Sequence, residues 1–178
     1  MRGRNTLYLD YRRGVAREEP AEAQPRFVHF VVQSLLAAAA VGAVVLATHY
    51  LTSLLAVAAV GSTAFLVFVR PRSIEARLRN VMVGYLLSTA AGVLCALLLG
   101  LVPLPAAVGV AILSGVAAGV ACFGMSITDT EHAPAAGAAI AVVVHHQHIV
   151  ETSVVALLGG IAVCAVGYAF GRWLRDLT

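Results

Sequence analysis

The chain has 178 residues, 60% of them hydrophobic and 12% charged, with a mean hydropathy of +0.89. Soluble domains hold roughly 45–50% apolar residues, so a water-soluble globule is excluded and the lipid bilayer is the expected solvent. The formal charge of +3 comes from 12 basic residues, all arginine, against nine acids; neither a nucleic-acid partner nor a cofactor is expected.

Residues 1–26 are charged and lack a long apolar run. A signal peptide needs an apolar core after its basic start, and none follows here. Arg12 and Arg13 are followed by Glu18 and Glu19, where a twin-arginine signal would turn apolar. The stretch is expected to be a cytoplasmic tail (1–26) ahead of a transmembrane domain (27–178).

Runs of about 20 apolar residues indicate bilayer-spanning helices, because the backbone must satisfy itself in hydrocarbon. Six apolar segments follow in order: 27–48, 54–69, 81–101, 105–126, 134–149 and 153–171. Ser53 is placed to cap the second. The second and fifth are short, since about 16 residues rise only about 24 Å against a hydrocarbon core of roughly 30 Å. Arginines occur in the tail, at 70–79 and after 171 (Arg172, Arg175), and nowhere else. Six crossings put all of them on one side, which the positive-inside rule makes cytoplasmic. The expectation is an all-α polytopic cell-membrane protein, a compact six-segment helix bundle with both termini in the cytoplasm.

Shifting the sequence by 76 lays residues 27–101 over 103–177 and aligns Gly61 with Gly137 and Gly84 with Gly160. Three spans per half would make the halves inverted repeats, and short helices two and five at equivalent places point to a central site. Gly61 and Gly137 are expected to come together near mid-depth. Small residues recur every fourth position at Gly84, Ser88 and Gly92, at Gly115 and Gly119, and at Gly167 and Gly171. Such stripes let helices approach closely; they imply tight packing, not transport. Association into a homo-oligomer is left open.

The stretch "TDTEHAPAAGAAIAVV", 128–143, breaks the apolar pattern. Pro134 lacks an N–H and suits a first helical turn, so helix five should begin near 134 after a non-helical 128–133. A helix N-terminus favours a small anion, and Ala135, Ala136 and Gly137 are small enough to let one approach. Gly61, Ser62 and Thr63 supply close approach and two hydroxyls. Asp129 and Glu131 read either as solvated acids and helix caps or, with His132, as proton-coupling groups. Ser62 and Thr63 read equally as bonded to their own helix carbonyls. "HHQH" at 145–148 puts His145 and His148 on one helical face, but with no second ligand cluster no metal site is expected. Cys95, Cys122 and Cys164 lack metal spacing and read as small core residues. No nucleophile–base set is present, so no enzyme is expected.

Two patches, "GSTAFLVFVRPRSIEARLRNVMVGYLLSTAAGVL" at 61–94 and the 128–143 stretch, resemble the HPP family of integral membrane proteins. Gly61-Ser62-Thr63-Ala64 is similar to that family's Gly-small-small-Ala stretch, Arg79-Asn80 to its Pro-Arg-Asn, and His132-Ala133-Pro134 to its His-Pro-Pro signature. Ala133, Leu78 and Tyr85 depart from the pattern, standing where proline, proline and histidine are common. The resemblance implies a compact multi-span domain and, because some members are implicated in nitrite transport, passage of a small inorganic anion.

The sequence therefore points to a transporter or channel for such an anion, nitrite first, with a site at the N-termini of helices two and five. Gly61, Ser62, Thr63, His132, Pro134, Ala135, Ala136 and Gly137 are the expected binding residues. A structural or regulatory membrane module is the alternative.

Overall fold

The computed structural model describes residues 27–47, 54–101 and 103–177. The 1–26 tail and the Ser53 cap lie outside the described residues. Six α-helices follow one another: α1 (Phe27–Ala47), α2 (Leu54–Val69), α3 (Leu78–Leu98), α4 (Ala106–Ile127), α5 (Ala133–Val144) and α6 (Ile149–Phe170). No strand occurs among the described residues.

The boundaries depart from expectation mainly around α5. His145, with φ −97° and ψ 40°, ends that helix, and a 3-10 turn at His146–His148 passes the chain directly into α6. Helix five is thus 12 residues long, about 18 Å of rise. At the other end of the bundle, α3 starts at Leu78 because Arg77 is extended (φ −65°, ψ 136°) after a 3-10 turn at Ile74–Ala76, which Ser73 caps by accepting the Ala76 N–H. Four helices, α1, α3, α4 and α6, are long and apolar enough to cross a membrane, and α2 and α5 are the two short ones.

The residue distribution is inverted relative to a soluble protein. Fully buried positions are dominated by small side chains, among them Ala56, Ala64, Ala117, Ala135, Ala138, Ala139, Ala141 and Ala156, whereas Leu35, Leu46, Leu86, Leu94, Phe123 and Leu158 face outward. Lipid tails are as apolar as leucine, so large residues lose nothing by facing them and close helix contact must come from small ones. The chain is a membrane protein.

Helix α5 sits at the centre, packed by α2, α3 and α4; α6 packs on α2 and α3, and α1 lies outside against α2 and α6. At the α3–α5 contact the approach is of side chain to backbone. A Cβ on Gly92 would stand 2.8 Å from the Ala139 carbonyl oxygen and 2.9 Å from the Val142 Cβ. Gly84, two turns earlier on the same stripe, faces the His132 Cβ and Ala135. The small-residue stripe of α3 is therefore the seam on which α5 is seated.

A buried polar residue ties α1 to the rest of the bundle. Buried Gln33 donates from Nε2 to the carbonyls of Phe68 and Arg175, the latter at 2.8 Å, and its Oε1 accepts the Arg175 N–H. Leu177 N–H donates to the Val69 carbonyl at 2.9 Å. The segment after α6 thus folds back over the end of α2, with Leu174 buried beneath it.

Candidate functional site

The loop before α5 is built from local backbone chemistry. Helix α4 ends at Thr128, whose hydroxyl donates back to the Gly124 carbonyl at 2.8 Å. Asp129 follows in the left-handed region, φ 51°, and the Thr130 N–H closes on the Met125 carbonyl at 3.0 Å. This is a Schellman-type helix end, with aspartate at the position that glycine usually occupies. The loop is then clamped from α3: Arg79 Nη2 donates to the Thr128 carbonyl at 3.2 Å and Asn80 Nδ2 to the Glu131 carbonyl at 3.4 Å. The two sequence patches that looked familiar are thus joined by hydrogen bonds. Asp129 and Glu131 are exposed, while Thr130 and His132 are fully buried.

His132 is the extended N-cap residue of α5, φ −145° and ψ 90°. Its side chain does not cap the helix but turns inward. Nδ1 donates to the Glu75 backbone carbonyl at 2.9 Å, and Nε2 lies 2.9 Å from the Thr63 Oγ1. The same Thr63 oxygen lies 2.8 Å from the Tyr85 hydroxyl and 3.2 Å from the Ala59 carbonyl. With Nδ1 carrying the proton, the neutral ring accepts at Nε2 from Thr63, which in turn accepts from Tyr85. A protonated ring would reverse the first bond, and the Thr63 hydroxyl would then donate to Ala59, which is already within reach. Tyr85, Thr63 and His132 are all buried, His132 and Thr63 completely. The chain lies about 9–11 Å below the arginine-bearing end, counting six residues from Thr63 to the end of α2 and seven from Leu78 to Tyr85.

Pro134 stands in the first turn of α5, as expected, and supplies no N–H; the Ala135 N–H is bonded to the His132 carbonyl at 2.9 Å. Little of the helix N-terminus is left to face a ligand. Helices α2 and α5 also run antiparallel, because Thr63 meets His132 while Ala59 meets Gly137 four residues back. The start of α5 therefore meets the second half of α2, and the two N-termini lie at opposite ends of their contact. The expected meeting of two helix ends is replaced by a side-to-side seam.

Along that seam runs an open groove of about 330 Å³ lined by Ser62, Ala59, Ala133, Pro134, Gly137 and Ile140, with others. Of the expected residues, Ser62, Pro134 and Gly137 line the groove, Thr63 and His132 are joined behind it, Ala135 is fully buried, and Ala136 is half-buried against the core. Gly61 and Gly137 do not form the expected pair: a Cβ on Gly61 would meet nothing within 4 Å, and one on Gly137 would meet Ala59 at 3.7 Å. Ser62 donates to its own helix at Ala58, 3.2 Å away.

Sequence reading gave no role to Tyr85, Asn80 or the Glu75 carbonyl. Tyr85 stands out in the sequence only as a departure from a histidine. Elsewhere, His148 pairs with Glu151 at 3.2 Å, and no group of three metal-ligating side chains forms among the described residues. Cys95 and Cys164 are buried, but Cys122 is exposed.

The search of curated proteins and the search of solved structures gave no match. Residues 22–176 match the family model described as "HPP, transmembrane region". That match spans the six helices, the Thr63–Tyr85–His132 chain and the clamp on the 128–131 loop, and by it the chain belongs to the HPP family of transmembrane proteins.

Proposed function

We propose that this protein carries a small inorganic anion across the membrane, with nitrite the first candidate. The observation that carries the reading is the buried Tyr85–Thr63–His132 chain standing directly behind the Ser62–Pro134–Gly137 groove. Three hydrogen-bonding side chains at membrane depth are costly unless they serve a purpose, and ionisable groups there are functional candidates by default. His132 is the proposed proton carrier. On protonation its Nε2–H would point at Thr63, and the buried positive charge would be met by the anion entering beside Ser62, Pro134 and Gly137. Asp129 and Glu131 are exposed on the loop, where they would act on the proton supply and not repel an anion in the groove.

Two further parts of the reading concern architecture. The arginine-bearing end and both termini are placed in the cytoplasm by the positive-inside rule. The halves are proposed to be inverted repeats. In support, α1 packs on α2 and α6 as α4 packs on α5 and α3, and α2 packs on α6 as α5 packs on α3. Gly84 and Gly160, equivalent in that repeat, each pack against a member of the chain, Gly84 against the His132 Cβ and Gly160 against the Tyr85 ring.

Proton-coupled nitrite flux into proteoliposomes, compared between the wild type and His132→Ala, tests the proposal. Equal flux would leave the polar chain as a packing joint and favour a structural module, a reading to which the self-bonded Ser62 hydroxyl already lends itself.

A further inference from the structure

A second cavity lies apart from this groove, at the arginine-bearing end. It encloses about 560 Å³ between the 71–78 segment and the end of α6, with Arg72, Arg77 and Arg172 in its lining beside Val67, Leu78 and Tyr168. That volume lies within the roughly 300–1,000 Å³ range of ligand sites. Three arginines from two separate segments line it, and Arg77 and Arg172 have no carboxylate partner among the described residues. Asp176 accepts the Arg72 backbone N–H at 3.2 Å, and Glu75 is exposed.

Guanidinium groups match phosphate oxygens in geometry as well as charge, binding them as a fork. Most of the rest of the wall is apolar, its inner part (Val67, Leu174) buried and its rim exposed. Leu78 is 49% exposed and Tyr168 is 85% exposed, in the last turn of the spanning helix α6. Tyrosine at that level suits the boundary between headgroups and acyl chains. Arginines beside an exposed apolar flank suit a lipid, which has both a headgroup and acyl chains to place there. We propose that this cavity seats the phosphate of an anionic phospholipid from the leaflet at the arginine-bearing end, with its acyl chains along Leu78 and Tyr168. Basic pockets between spanning helices bind lipid headgroups in this manner. The inference does not depend on transport.

The single tryptophan of the chain, Trp173, is exposed and stands between Arg172 and Leu174, both in the cavity lining, and so provides a reporter. The full-length protein is placed in phosphatidylcholine nanodiscs doped with phosphatidylglycerol carrying brominated chains, and Trp173 quenching is followed. Saturable quenching is expected at low mole fractions of the brominated phosphatidylglycerol, and only proportional quenching with brominated phosphatidylcholine. Arg77→Gln with Arg172→Gln should raise the half-saturating fraction roughly twenty-five-fold, about fivefold per arginine. Arg70→Gln, close in sequence but outside the lining, should leave it nearly unchanged. Arg77→Lys with Arg172→Lys keeps the charge without the fork and should fall between. An equal response to both lipids, or an equal loss with Arg70→Gln, overturns the site. Displacement of the brominated phosphatidylglycerol by inorganic phosphate would identify a free-ion site and overturn the lipid assignment.

Discussion

Gly160 of α6 lies under the ring of Tyr85 so closely that a Cβ there would stand 2.6 Å from Cε2 and 2.8 Å from Cδ2. The ring has little freedom to yield, because Tyr85 is buried and its hydroxyl is held at 2.8 Å by Thr63. Gly160→Ala should therefore destabilise the bundle by about 1–3 kcal/mol, the usual range for overpacking. It should also disturb the hydrogen bond above it. Gly61→Ala, where a Cβ meets nothing within 4 Å, should change stability by less than about 0.5 kcal/mol. Chemical denaturation in detergent micelles compares the two; equal effects would contradict the packing described.

How far the sequence foretold this arrangement depends on the kind of residue. Apolar runs and arginine placement gave six helices, and the two short ones were visible from length alone. Gly84 and Gly92 were readable as contact points, because only small residues let helices approach in lipid. Their partners were not readable. Nothing local to Tyr85 says that it meets Thr63, 22 residues away, or that Thr63 meets His132, 69 away. The Glu75 carbonyl could not be foreseen at all, since any residue carries one. The paired glycines failed for a different reason. A 76-residue shift equates positions between halves, but it does not say that equivalent positions touch.

Orientation is testable without knowledge of transport. With Cys95, Cys122 and Cys164 replaced, single cysteines at Ser73→Cys and Gln147→Cys should react with a membrane-impermeant maleimide from opposite faces. Ser73 belongs to the loop between α2 and α3, and Gln147 to the turn between α5 and α6. The positive-inside rule assigns Ser73 to the cytoplasm. Labelling of both from one face would refute six crossings, and labelling of Ser73→Cys from outside would reverse the orientation.

Asp129 offers a way to separate capping from proton coupling. Its φ of 51° is a conformation that costs an L-residue roughly 1–2 kcal/mol and glycine almost nothing. Asp129→Gly should therefore keep stability or raise it by up to about 1 kcal/mol. If the residue serves only as the α4 terminator, nitrite flux and its pH profile should also be unchanged. A stable variant whose flux no longer responds to pH would instead make Asp129 part of the proton route. Thermal unfolding and flux measured on the same preparation distinguish these outcomes.

The buried chain itself sets the last expectation. Thr63→Val keeps the shape of the side chain but removes its hydroxyl, leaving His132 Nε2 and the Tyr85 hydroxyl without the partner each has at 2.9 and 2.8 Å. Each unpaired buried group costs about 1–3 kcal/mol, so with two of them stability should fall by about 2–6 kcal/mol. Flux should fall further than stability explains, because the relay between ring and hydroxyl is broken. His132→Ala should lose flux with its pH dependence, whereas Gly137→Leu should lose flux by filling the groove that Gly137 lines. The sign with pH follows from the charge on His132. A neutral ring accepts from Thr63 and offers an anion nothing, while a protonated ring supplies the positive charge. Nitrite flux by the wild-type protein should therefore rise as pH falls, and the rise should vanish in His132→Ala. A stopped-flow proteoliposome assay run across pH, with each variant first shown to be folded by its unfolding transition, measures all three. Wild-type rates in Thr63→Val, His132→Ala and Gly137→Leu alike would mean that the chain holds α2, α3 and α5 together and carries nothing.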